Sequence, residues 1–241
     1  LTLPTKNGKI YPNQVLEHVP SQRGEHQVRP RVISIAQTTE MGTVYTPKEL
    51  SALADVAHEN NLYLHMDGAR ISNAAVSLGV DFISISKEVG VDILSFGGTK
   101  NGLLLGEAVI FLSSEIASDY MFYRKQNMQL ASKMRFISAQ FCALLEGDLW
   151  RRNAEHANSM AKVLANRVQS ISKVKLTQRT EANAVFACIP KDVIPELREE
   201  YFFYDWNFAL GEVRWMTSFD TTIEEIQQFG DLLEQKIENL N

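Results

Sequence analysis

The chain has 241 residues, 45% of them hydrophobic and 22% charged, with a formal net charge of −5. Such proportions suit a globular protein with a large core, and a mildly acidic chain without a long basic run argues against a nucleic-acid or membrane-surface partner. The only cysteines, Cys142 and Cys188, offer neither a disulfide framework nor a metal-ligand spacing and suit a reducing compartment. No stretch is apolar over the length of a membrane span and no signal peptide is visible, so a cytoplasmic location is the expectation.

Leu1-Thr2-Leu3-Pro4-Thr5, followed by Lys6-Asn7-Gly8-Lys9, reads as a strand and turn from the middle of a domain, and no methionine precedes it. Val32-Ile33-Ser34-Ile35-Ala36 is a short apolar strand. Thr46-Pro47-Lys48-Glu49 joins a capping box to a proline at the first helical position, which predicts a helix to about residue 60. The strand Leu62-Tyr63-Leu64-His65-Met66 follows, then a helix from about Ala69 that should stop at Gly79, a residue suited to the position past a helix end. Val91-Asp92-Ile93-Leu94-Ser95-Phe96 predicts another strand and 107–112 an apolar strand beside it. Residues 114–149, rich in helix formers with apolar positions three and four apart, predict one or two long helices.

A second unit is expected from Trp150: an amphipathic helix over 151–171, strands at 174–176 and 184–189, and a helix at 190–200. Strand candidates at 201–207 and 212–217 and a terminal helix over 222–240 complete it. The division is therefore 1–120 as a large domain, 121–149 as a connecting helical region and 150–241 as a small domain. Strands alternating with helices predict an α/β fold with a mostly parallel sheet, followed by a small α+β domain.

The chemistry concentrates at two strand ends. Asp67-Gly68-Ala69-Arg70 closes one strand, and Gly97-Gly98-Thr99-Lys100-Asn101-Gly102 closes another. An isolated Asp-Gly reads as a helix cap or turn, and a lysine after two glycines as a solvated loop residue. Their combination reads differently, because ligands in open α/β sheets bind beyond the carboxyl ends of the strands. Lys100 follows Asp67 by 33 residues, enough for one helix and a return to a parallel strand. A lysine amine that can form a Schiff base with an aldehyde, and a carboxylate that keeps a pyridine nitrogen protonated, are what pyridoxal 5'-phosphate requires. His65 shares a strand face with Asp67 and reads either as its support or as a satisfied core histidine. Arg214 lies in a predicted strand, where a charge calls for an opposing anion.

These residues resemble the low-specificity threonine aldolases and β-eliminating lyases, pyridoxal-phosphate enzymes of the aspartate-aminotransferase fold (fold type I). The resemblance rests on His65-Met66-Asp67-Gly68-Ala69-Arg70, Asn73-Ala74-Ala75, the run from Val91 to Gly102, and Gly106-Glu107-Ala108-Val109. Weaker matches are Thr38-Thr39-Glu40-Met41-Gly42, Lys133-Met134-Arg135 and Val213-Arg214-Trp215, so it covers nearly the whole chain.

The resemblance implies that the strand at 107–112 hairpins back, and that Lys100 and Asp67 are catalytic and bind the cofactor. It implies that Arg70 and Arg214 hold the substrate carboxylate, that Thr99 and Arg135 lie near the cofactor phosphate, and that Thr39 and Glu40 lie near its ring oxygen. Arg70, Thr99 and Arg135 thus join the cofactor-binding set, each against the alternative of a turn or surface role. It implies aldol cleavage of L-threonine or L-allo-threonine to glycine and an aldehyde, with a homodimer or homotetramer expected. β-Elimination, transamination and an inactive fragment stay open as alternatives. Set against the family, the opening of the large domain, with the phosphate turn and the aromatic or histidine residue that stacks on the ring, is expected to lie outside this sequence, and the base is a histidine from that segment or a water.

Overall fold

In the computed structural model, which describes residues 1–19, 25, 26 and 28–240, the chain builds two four-stranded sheets. It opens without the expected strand. Leu1-Thr2-Leu3-Pro4-Thr5 joins no ladder; Pro4 lacks a ladder donor and Gly8 turns the chain at a φ of 80°, while Leu3 packs onto the first core. A helix that the sequence did not signal, α1 (Pro12–His18), follows. It runs for 7 residues and buries only Val15, too little periodicity for a pattern to form.

β1 (Val32–Ala36), α2 (Pro47–Glu59), β2 (Tyr63–Gly68), α3 (Ile71–Leu78), β3 (Ile93–Gly97) and β4 (Glu107–Phe111) form the first sheet and its helices. The capping box at α2 is present: the Thr46 hydroxyl accepts from the Glu49 amide at 3.3 Å, and Glu49 Oε2 accepts from the Thr46 amide at 2.7 Å. Gly79 ends α3 at a φ of 68°, left-handed as expected. Strand order is β1-β2-β3-β4; β1 and β3 each run parallel to β2, and β4 hairpins back antiparallel on β3. Leu50 and Leu53 of α2 and Ile71 of α3 share one core with Leu64 and Met66 of β2. Each such side chain contributes about 1.5–3 kcal/mol by leaving water.

The long helices expected over 114–149 are instead a single 3-10 turn at Ser114–Ile116 and two shorter helices, α4 (Tyr120–Gln126) and α5 (Met134–Leu145). Met128, at a φ of 57°, interrupts them. α4 buries no residue and α5 buries only Leu144, while Met121, Phe122, Met128 and Phe136 stay exposed. Helix propensity without a buried face does not sustain a long helix.

α6 (Leu149–Gln169) starts in the first core at Trp150 and enters a second core at Met160. β5 (Lys175–Leu176), β6 (Ala184–Cys188), α7 (Val193–Glu200), β7 (Tyr204–Asn207), β8 (Glu212–Met216) and α8 (Ile223–Glu238) complete the chain. The second sheet is antiparallel throughout, in the order β5-β6-β8-β7. Its core joins Leu164 and Val168 of α6 to Val185, Val213, Trp215 and Leu233. The whole is an α/β fold whose first sheet is mostly parallel.

α3 and α6 are locked by a buried amide pair. Asn73 Nδ2 donates to Asn158 Oδ1 at 3.0 Å, and Asn158 Nδ2 donates to the Asn73 carbonyl at 2.9 Å. Asn158→Ala strands both Asn73 groups and is expected to cost about 1–3 kcal/mol, read as a lower urea midpoint with an unchanged slope.

Candidate active site

The site grows from the register of two parallel strands. Asp67 of β2 pairs with Ser95 of β3 and Gly68 with Phe96, so both strands end at one level. Their closing turns touch. A Cβ on Gly97 would lie 2.5 Å from Ala69 Cα and 2.7 Å from the Ala69 carbonyl oxygen, contacts with backbone that cannot relax. Beyond Gly97 the chain makes one 3-10 turn, Thr99–Asn101, with Lys100 exposed. That turn is bolted down on the side of the next residue. Buried Asn101 donates from Nδ2 to the Trp150 carbonyl at 3.0 Å, and its own carbonyl accepts from Asn153 Nδ2 at 2.8 Å. The helix bridging the two cores therefore holds the backbone beside Lys100 while leaving its amine free to reach outward.

Asp67 is exposed, with Oδ1 accepting from the Ala69 amide at 2.9 Å and no bond to Oδ2 among the described residues. On the same face, His65 lies between two hydroxyls, Ser34 Oγ at 2.8 Å from Nδ1 and Ser95 Oγ at 3.0 Å from Nε2. Burial pulls the imidazole below its ordinary value and the Asp67 charge only partly opposes this, so the ring is neutral near neutral pH. His65 is thus a satisfied histidine bridging three strands, two residues from the carboxylate.

The arginines converge from separate parts of the chain. Arg70 caps α3 three residues after Asp67, and Arg214 stands in β8 of the second sheet. Their side chains are 12% and 13% exposed, and both face Glu40, in the loop after β1. Arg214 Nη1 donates to Glu40 Oε2 at 2.7 Å, and Arg70 Nη1 lies 3.6 Å from Glu40 Oε1. The Arg214 guanidinium also stacks on Trp206 at 5.0 Å and Tyr204 at 5.7 Å, while its buried Nε has no hydrogen-bond partner among the described residues. Burial pushes the Glu40 carboxyl up, but the Arg214 hydrogen bond and the charges of Arg70, Arg214 and Lys100 outweigh it and hold the group below the ordinary carboxylate value. Arg70 is pulled down by its burial, with Glu40 opposing and Arg214 reinforcing.

This geometry can be set beside known proteins. The beta-eliminating lyase family pattern matches residues 1–191. The chain belongs to that family. Enzymes of this family work with pyridoxal 5'-phosphate. The chain is 41% identical over 226 residues to a low specificity L-threonine aldolase of Pseudomonas aeruginosa, covering 94% of this chain and 65% of that protein. It is 40% identical over 230 residues to a second enzyme of that name from a Pseudomonas species, covering 95% and 66%. It thus spans just under two thirds of the length of these relatives. Among solved structures, a Leishmania major threonine aldolase superposes with a TM-score of 0.89 at 28% identity, covering 98% of this chain and 70% of that one. A PLP-dependent aminotransferase from Streptococcus suis shares the fold at 18% identity, with a TM-score of 0.67 and coverage of 89% and 59%.

Against this family background, the residues singled out from sequence fall into two groups. Lys100, Asp67 and Arg70 lie at the ends of β2 and β3, and Arg214, from β8, reaches the same Glu40 as Arg70. The Thr99 hydroxyl is turned into its own hairpin, accepting from the Gly106 amide at 3.0 Å. Arg135 is exposed at the start of α5, stacks on Phe136 at 4.8 Å and forms no ion pair among the described residues. Thr39 is buried in its own turn, bonded to Thr43 Oγ1 at 2.8 Å, so of the Thr39-Glu40 pair only Glu40 reaches the arginines. Sequence reasoning missed Glu40 as the anion opposite Arg214, and with it the Tyr204 and Trp206 wall. The available signal was the charge in a strand, which demanded an anion without naming it.

Two outcomes follow from this packing. Gly97→Ala drives a methyl into the Ala69 backbone and should cost about 1–3 kcal/mol of stability, measured by chemical unfolding. His65, with its folded value depressed, contributes stability that is fully present above its unfolded value of 6.5 and is lost as pH falls below it, because the unfolded chain takes up the proton first. Unfolding midpoints should therefore fall more steeply below that pH in the parent protein than in His65→Gln; parallel curves would contradict this.

Proposed function

We propose that this chain is the greater part of a pyridoxal-phosphate-dependent aldolase that cleaves a β-hydroxy-α-amino acid, L-threonine or L-allo-threonine, to glycine and an aldehyde. One observation carries the reading. An exposed amine, Lys100, and an exposed carboxylate, Asp67, end adjacent strands, beside two largely buried arginines that reach one point from different sheets. That donor set fits the cofactor with an amino acid on it: an amine for the aldehyde, a carboxylate for the pyridinium, and guanidinium groups for a second carboxylate.

When bound, pyridoxal phosphate supplies an electron sink for the pair released as the Cα–Cβ bond breaks. The chain's own residues do the rest. Lys100 is the attachment amine, and its anchored neighbour Asn101 fixes where that amine starts. Asp67 holds a proton on the ring nitrogen, with Oδ1 kept in place by the Ala69 amide. Arg70 and Arg214 hold the substrate carboxylate and so fix the orientation of the breaking bond, which decides between carbon–carbon cleavage and proton loss. Thr99 and Arg135 are assigned to the phosphate side, Arg135 through a neighbouring subunit.

In this reading residues 1–120 are a cofactor-binding large domain, 121–149 a connecting helical region and 150–241 a small substrate-clamping domain. The exposed Leu104, Leu105, Met121, Phe122 and Phe136 support a homo-oligomer, dimeric or tetrameric. Among the described residues no helix is long and apolar enough to cross a membrane, and a cytoplasmic location is proposed from the two isolated cysteines, which suit a reducing compartment.

Product analysis tests the reaction. With pyridoxal phosphate supplied, L-threonine should yield glycine and acetaldehyde in equal amounts, and Lys100→Ala should lose this activity entirely. A 2-oxo acid with ammonia would instead favour β-elimination. Full activity in Lys100→Ala would remove the lysine from the chemistry.

A further inference from the structure

The carboxylate seat assigned above to the substrate is already taken by a carboxylate of the chain. Glu40 accepts from Arg214 Nη1 at 2.7 Å and stands 3.6 Å from Arg70 Nη1. A substrate carboxylate gripped by the same two arginines needs those same N–H groups. One of the two anions has to yield, and the surroundings indicate which. The arginines are the fixed partners: both side chains are nearly buried, and Arg214 packs against Trp206 and Tyr204. Glu40 is the movable one, since its side chain is 58% exposed and these two arginines are its only hydrogen-bond or ion-pair partners among the described residues.

Its backbone does not need to move for the side chain to leave. The adjoining turn is closed by the Thr39 amide donating to the Thr43 carbonyl at 2.9 Å and the Gly42 amide donating to the Thr39 carbonyl at 3.0 Å. A rotation of the side chain alone therefore clears the seat. The reason for keeping an anion there is electrostatic. Arg70 and Arg214 are close enough to oppose one another's charge, and two nearly buried guanidiniums without an anion would splay apart or draw in a stray one.

We infer that Glu40 is a built-in stand-in for the substrate carboxylate, holding Arg70 and Arg214 together until an amino acid arrives and then rotating out. This rests on the proposed function for the identity of the incoming anion, but the contact between Glu40 and the arginines does not. The consequence is a fixed toll on binding: the seat is open only in the fraction of molecules whose Glu40 has swung away, and apparent affinity is reduced by that fraction. The ligand class it selects against is anything that lacks a carboxylate able to displace it.

The test removes the charge and keeps the shape. In Glu40→Gln the KM for L-threonine should fall, by about fivefold if the seat is about four-fifths occupied by Glu40 in the parent. A second readout needs neither cofactor nor turnover: phenylglyoxal modification followed by peptide mapping. Arg214 should react faster in Glu40→Gln than in the parent, and added glycine should protect it more effectively in the variant. An unchanged or raised KM, or Arg214 labelling no faster than in the parent, overturns the stand-in and makes Glu40 a support that the arginines require. If pyridoxal phosphate fails to bind, the proposed reaction falls, while the labelling still decides the role of Glu40.

Discussion

The candidate site depends on how closely the turns after two parallel strands can approach. Gly97 leaves no room for a Cβ against the Ala69 backbone, and the register sets Asp67 opposite Ser95. Those two facts bring the lysine turn and the Asp-Gly-Ala-Arg turn to one end of the sheet. A single methyl at Gly97 would push them apart, and with them the amine and carboxylate proposed to hold the cofactor. The anchoring of Asn101 to α6 extends the constraint, because the helix that holds the lysine turn is also the wall of the second core.

That coupling explains why the second sheet matters to a site built on the first. Arg214 is separated from Glu40 by 174 residues, yet it delivers its guanidinium to the same point as Arg70. The buried Asn73 and Asn158 pair fixes α3 to α6, and the Thr217 hydroxyl, which donates to the Ala157 carbonyl at 2.7 Å, fixes the chain just past β8 to it. The proposed carboxylate clamp, with one arginine from each sheet's side, would therefore depend on α6 as its rigid spacer. Substitutions along α6 that leave every site residue in place are for this reason able to misalign the clamp.

Much of this was legible in the sequence, for reasons that differ by element. The parallel strands and their helices announced themselves through short apolar runs, the Thr46 and Glu49 capping box and the terminating Gly79, all local signals. The Asp67 and Lys100 turns were legible because their chemistry has few other uses in that combination. Residues 114–149 misled because their composition favours helices, while the burial that would join them into longer ones is missing here. α1 was too short to carry a period. Glu40 could be placed near the site by resemblance, but its pairing with Arg214 crosses most of the chain. No local pattern encodes which glutamate meets which arginine, and the same holds for the stacking of Arg214 on Trp206.

Lys100 is the amine proposed to receive pyridoxal phosphate. The direct measurement is to mix the protein with pyridoxal phosphate, reduce with borohydride and map the labelled peptide. A visible absorption band before reduction and label concentrated on Lys100 are expected, with Asp67→Ala weakening the band. Label scattered over surface lysines, or concentrated on a different one, would contradict it.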